Sequence, residues 1–162
     1  MPEPFAARSP EEMPSREEML SRSGLEFLKA MLAGEIAGPP IAATMNFTLA
    51  EVSEGRVTFR GAPQFGALNP MGGVHGGWYG TILDSALGCA VMTLVPKGFW
   101  YTTLEYKVNI TRALAVEQEV DCIARVIHSG RTTAVAEASL RGREDGKLYA
   151  SGTTTCLIMK AG

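Results

Sequence analysis

Apolar residues near the start of the chain recur at helical spacing, and further on they alternate. Leu20, Leu25, Leu28, Met31 and Leu32 form an approximate apolar stripe, which predicts a helix from about Ser15 to Ala33. Ser15 can cap it, and Glu17 and Glu18 suit its first turn. Gly34 closes the segment and Gly38-Pro39-Pro40 breaks the chain. Ahead of it, the proline-rich residues 1–14 read as a disordered or loosely attached tail.

From residue 44 the period falls to two. TMNFTLAEV alternates, SEG turns and RVTFRG returns, the pattern of a β-hairpin. A glycine-rich loop follows, then a helix over 78–94 that ends near Pro96 and Gly98. Four more strand patterns close the chain as a meander: YTTLEYKVNITR, EVDCIARVIH, RTTAVAEASLR and KLYASGTTTCLIMK. Ala134, Ala136, Ala138 and Leu140 share one strand face, where small side chains let a helix lie close to the sheet. One long helix among strands predicts an α+β fold, an antiparallel sheet wrapped around that central helix with an extra N-terminal helix. Residues 1–40 then form the tail and N-terminal helix, and 41–162 a single domain.

The 78–94 helix has two kinds of face. Trp78, Ile82, Ala86 and Ala90, with Leu83, Leu87 and Val91, suit packing on the sheet. Another stripe, Gly77, Gly80/Thr81, Asp84 and Gly88, has almost no side chains except a carboxylate. Each helical glycine costs about 1 kcal/mol against alanine, so the stripe implies close helix–helix packing or close approach of a ligand. Packing does not explain Asp84, because a carboxylate is expensive to bury unless something pairs with it or uses it.

The loop before the helix supplies the complement. Gly76 and Gly77 lie at a helix start, where amides lack partners and the dipole is positive, a place that can bind an oxyanion. The side-chain amide of Asn69 can donate alongside. An oxyanion site with a carboxylate is what acyl transfer needs, the one polarising a carbonyl, the other attacking it or activating water. His75 is in reach as a base, but no second group is placed to orient it, which favours a role in holding the loop. GALNPMGG lacks the Gly-Lys-Ser/Thr of a phosphate loop, and DSALG lacks the glycine of a nucleophile elbow. Cys89 sits among apolar neighbours and reads as a core residue.

Composition narrows the class. The net charge of −2 points to neither nucleic acid nor an anionic membrane. No apolar run approaches the roughly 20 residues of a bilayer span. The polar, acidic N-terminus resembles no signal or transit peptide. Three separated cysteines suit reduced thiols in the cytoplasm, and two histidines argue against a His-built metal site.

Asn69, five residues, His75-Gly76-Gly77, six residues, then Asp84: this pattern resembles the hotdog-fold acyl-CoA thioesterases of the phenylacetate-degradation type. The likeness covers roughly residues 44–159, with SGRTTAV and DGKLYASGTTTCLI similar to the family's last two strands. It implies hydrolysis of a CoA thioester with no further cofactor, Asp84 serving as nucleophile or general base. It also implies that the Gly76 amide polarises the carbonyl, that Asn69 lies near the thioester, and that a hydroxyl comes from Thr103, with Thr102 one residue away. Two departures stand out. Arg112-Ala113-Leu114 replaces the family's RPA, and Gly88 stands where some relatives carry Thr. A non-catalytic acyl-CoA-binding module and a hydratase or dehydratase are the alternatives.

CoA phosphates call for basic side chains. Arg131, with Ser129 and Thr132 beside it, is the first candidate and Arg112 the second. Phe65, Met71, Trp78, Phe99, Trp100 and Tyr101 are candidates for an acyl pocket. Gly76 and Asp84 are eight residues apart, about 12 Å along a helix, whereas reacting atoms must come within roughly 3 Å. One helix cannot supply both, which predicts a symmetric dimer with two shared sites and allows further pairing into a tetramer.

Overall fold

The computed structural model describes residues 2–162. Its N-terminal part holds two helices where one was predicted, α1 (Arg16–Leu20) and α2 (Gly24–Leu32). Local hydrogen bonds explain the break. The Ser21 hydroxyl donates to the Glu18 carbonyl at 2.7 Å and ends α1. Ser23 then starts a new helix with a capping box, its hydroxyl accepting from the Glu26 amide while the Glu26 carboxylate accepts from the Ser23 amide at 2.8 Å. Serines that bond nearby backbone outcompete continuation of the helix.

The tail is tied down rather than loose. The Ala7 amide donates to the Gly38 carbonyl at 2.9 Å and the Gly38 amide to the Phe5 carbonyl at 2.7 Å, and Ala7 is buried. A short helix, α3 (Pro40–Thr44), follows with proline at its first turn.

Six strands form one antiparallel sheet: β1 (Phe47–Ser53), β2 (Arg56–Gly61), β3 (Phe99–Ile110), β4 (Val120–Ser129), β5 (Thr133–Gly142) and β6 (Leu148–Lys160). The order is β1-β2-β4-β5-β6-β3. The meander therefore holds only for β4-β5-β6. β3 crosses to pair with β6 and leaves its other side as an open edge. The long helix α4 (Gly76–Met92) packs against β2, β3, β4, β5 and β6. Trp78, Ile82, Leu83, Ala86, Leu87, Ala90 and Val91 are buried there, and Ala134 and Ala136 are as small and as buried as the sequence requires.

Two details fix the surroundings of α4. A β-carbon on Gly24 would overlap the Met92 carbonyl, so α2 meets the end of α4 backbone to backbone, with the Gly24 amide donating to the Val95 carbonyl at 2.9 Å. In β3 the pairing shifts between Thr103 and Glu105, leaving Leu104 as an extra residue. Such a bulge reverses the alternation of faces. Tyr101 and Thr103 face α4 before it, Tyr106 and Ile110 after it.

Candidate active site

The sparse stripe of α4 lies against β3. Ile110 comes within 3.5 Å of where a β-carbon on Gly76 would be, and the Tyr106 hydroxyl within 3.4 Å at Gly80. The Tyr101 hydroxyl fills the space at Gly88. The glycines thus admit β3 side chains, a packing partner that the sequence reading did not consider. Asp84 is the charged side chain of that row, and Thr103 Oγ1 donates to its Oδ1 at 3.2 Å. Thr103, and not Thr102, makes this bond.

Asp84 is half-buried, and no cation pairs with it among the described residues. Burial raises its carboxyl above the ordinary carboxylate range, and the Thr103 hydrogen bond pulls partly the other way. The carboxylate and Thr103 stand at the wall of a cavity of about 570 Å³, otherwise mostly apolar. Cys89 also lines it. Burial, helped by the charge of Asp84, pushes the Cys89 thiol up to about 12, which favours the protonated thiol near neutral pH. Among the described residues no three His, Cys, Asp or Glu side chains gather as a metal would need.

At the other end of α4 the loop is built by its own side chains. Asn69 Oδ1 accepts from the amides of Met71 at 2.9 Å and Gly73 at 3.1 Å. Its amide nitrogen has no acceptor within the chain among the described residues. His75 is the N-cap, and its Nδ1 accepts from the Gly77 amide at 2.8 Å. That tautomer carries its proton on Nε2. The Gly77 amide is thereby taken, and the exposed Gly76 amide is the one at the helix start with no partner among the described residues. Gly77 therefore does not share the donor role that the sequence allowed both glycines.

The candidate phosphate contacts lie apart. β5 pairs Thr133 with Leu157 of β6, which pairs with Thr102 of β3, so the exposed turn holding Ser129, Arg131 and Thr132 belongs to the Asp84 end of the sheet. Arg112 follows Ile110 at the Gly76 end, with its guanidinium 6.0 Å from the centre of the Tyr149 ring. Within one chain the two arginines do not meet.

Of the proposed acyl-pocket residues, Phe99, Trp100 and Tyr101 line the cavity. The other three do not. Phe65 is 82% exposed and Met71 93%, while Trp78 is buried in the core with its Nε1 donating to the Met45 carbonyl at 2.7 Å. Met13, Met19, Leu20, Phe27 and Met31 form the opposite wall, which no local pattern marks as pocket-lining. Their N-terminal segment is rich in methionine, but its partner, α4, is distant in sequence.

A six-stranded antiparallel sheet around one long helix, with a polar loop at the helix start and a carboxylate facing β3, is the hotdog architecture. A model of the thioesterase superfamily matches residues 71–149 of the chain. The chain is similar to a phenylacetic acid degradation-related protein of Ralstonia eutropha JMP134, 28% identical, with 81% of this chain and 98% of that one covered at a TM-score of 0.74. A hypothetical thioesterase protein of Streptococcus pneumoniae TIGR4, solved with coenzyme A, is 26% identical over 75% of this chain and 91% of that one, with a TM-score of 0.67. Acyl-coenzyme A thioesterase 13 of Mus musculus is 28% identical over 87 residues, 54% of this chain and 61% of the relative. The chain spans less than two thirds of the length of the curated relatives it matches.

Proposed function

We propose that the protein hydrolyses acyl-CoA thioesters, with Asp84 as general base. The observation that carries this reading is Asp84 itself: a half-buried carboxylate with no cationic partner, held by Thr103 at an apolar cavity. Its raised pKa makes it a better proton acceptor than an ordinary surface carboxylate. Water gives a proton to Asp84 as its oxygen bonds to the thioester carbon. The carbonyl oxygen gains charge, which the Gly76 amide and the Asn69 side-chain amide stabilise. The C–S bond then breaks, and the proton passes to the departing CoA sulfur. No cofactor is required, since CoA is part of the substrate. The binding of coenzyme A by the Streptococcus relative supports this substrate class. A hydratase would need a His working beside the carboxylate, and His75 is committed to capping α4.

The reading includes a second copy of the chain. Gly76 and Asp84 lie about 12 Å apart along α4, and β3 offers an open edge with Trp100, Leu104, Tyr106 and Ile110 exposed. An antiparallel partner at that edge supplies Asn69 and Gly76 to the Asp84 of the first chain. Arg112 then arrives with the loop and Arg131 with the carboxylate, so both can face the CoA phosphates. Among the described residues no helix is long and apolar enough to cross a membrane. The three thiols are free, which fits the cytoplasm.

The test is release of free thiol from a panel of acyl-CoAs by the purified protein and by Asp84→Asn. Turnover by the wild type, lost in the variant, supports the reading. Tight CoA-ester binding without turnover would make the protein a binding module instead.

A further inference from the structure

The cavity beside Asp84 has two walls of different origin. One is α4 and β3. The other comes from residues before 44, through Met13, Met19, Leu20, Phe27 and Met31. That second wall lies outside the stretch that matches the superfamily model, residues 71–149. It is firmly built. Leu28 of α2 is fully buried in the main core, and Phe27 with Ile36 forms a second apolar cluster against Met31 and Met92. The Gly98 amide donates to the Leu20 carbonyl at 3.2 Å, holding the end of α1 to the start of β3. Towards the rim the wall softens to Met13 and Met19, both partly exposed. Flexible thioethers of this kind adapt to ligands of varied shape.

The size and chemistry of the space define its occupant. About 570 Å³ falls within the range of pockets that enclose drug-sized molecules. An acetyl group would leave most of it empty. Of the charged lining residues, Asp84 belongs to the reacting end, and Arg22 stands near Glu26, which offsets it.

We propose that this cavity binds an extended apolar acyl group, of decanoyl rather than acetyl size, and that the α1–α2 segment sets the length accepted. The proposal rests on the thioester-hydrolase reading for its substrate but has its own readout. Each methylene buried adds about fourfold to kcat/KM until the space is full.

The experiment compares acetyl-, hexanoyl- and decanoyl-CoA. In the wild type kcat/KM should rise by about 100-fold or more from acetyl to decanoyl. Leu20→Trp, which fills the cavity, should lower the decanoyl-to-acetyl ratio at least about tenfold. Met19→Trp, at the more exposed rim, should lower it as well and serves if Leu20→Trp does not fold. The same esters are titrated calorimetrically into Asp84→Asn protein. If nothing is hydrolysed but decanoyl-CoA binds much more tightly than acetyl-CoA, and Leu20→Trp abolishes the preference, the hydrolase reading fails and the acyl pocket stands. A flat dependence on chain length in both rate and binding overturns the pocket. So does a length preference unchanged in folded Leu20→Trp and Met19→Trp proteins.

Discussion

The hydroxyl of Tyr101 lies 2.7 Å from the point where a β-carbon on Gly88 would sit. One turn of α4 before Gly88 stands Asp84, and one β3 step in from Tyr101 stands Thr103, which bonds it. The position where some similar thioesterases carry a threonine is therefore filled from the strand. Tyr101 also lines the cavity. The Gly88–Tyr101 pair gives the pocket a hydroxyl by a different route.

Gly88→Ala must displace the Tyr101 ring. Helix propensity favours the change by about 1 kcal/mol, and overpacking opposes it by about 1–3 kcal/mol. We expect a small net loss of stability in urea melts and a larger loss of activity. Combining it with Tyr101→Phe should recover part of the stability, because the hydroxyl is the nearest clashing atom. Strict additivity of the two changes would show that they do not touch.

Asp84→Asn should lower thioester hydrolysis by about 10²–10⁴-fold. It should also stabilise the protein at neutral pH. Burial raises the folded-state pKa of Asp84, so between the unfolded and folded values the native chain holds more protons and stability falls as pH rises. The variant lacks this penalty. Its Tm advantage should be present at pH 7 and vanish below the ordinary carboxylate range, which thermal melts against pH will read.

Thr103→Val removes the hydrogen bond that draws the Asp84 pKa down. The acid limb of the kcat/KM profile should move to higher pH, with activity near neutrality falling by about tenfold. Thr102→Val should leave the midpoint of that limb in place. A shift of equal size in both variants would remove Thr103 from its special position.

Mixed dimers test the shared site. An Asn69→Ala chain and an Asp84→Asn chain, each nearly inactive, are co-assembled. One site then carries both lesions and the other neither, so activity should recover to about half of wild type per mixed dimer. Mixed dimers without recovery would place each site within one chain.

Arg131→Ala should raise KM for the CoA ester more than it lowers kcat, since phosphate contacts far from the reacting carbon are made in ground and transition states alike. A truncated pantetheine thioester, which lacks the nucleotide phosphates, should be little affected. Equal effects on both substrates would refute the phosphate contact.

Local pattern determined much of this protein. The four-residue spacing of Trp78, Ile82, Ala86 and Ala90, the alternation in the strands and the small residues of β5 all report a helix lying on a sheet. The spacing Asn69, His75-Gly76-Gly77, Asp84 marked a loop and a helix whose relative placement follows from backbone geometry alone. Tertiary structure decided what depends on partners distant in sequence. The glycine stripe of α4 could not reveal that it would meet Tyr101, Tyr106 and Ile110, because a bulge at Leu104 sets which β3 residues turn inward. The β2–β4 pairing that sends β3 to the edge has no local signature, since any open strand can pair with another. The N-terminal segment became a pocket wall because Gly24 lets α2 touch the end of α4, a contact visible only after both have folded. Hydrophobic period fixes which face of an element is buried, and long-range packing fixes against what.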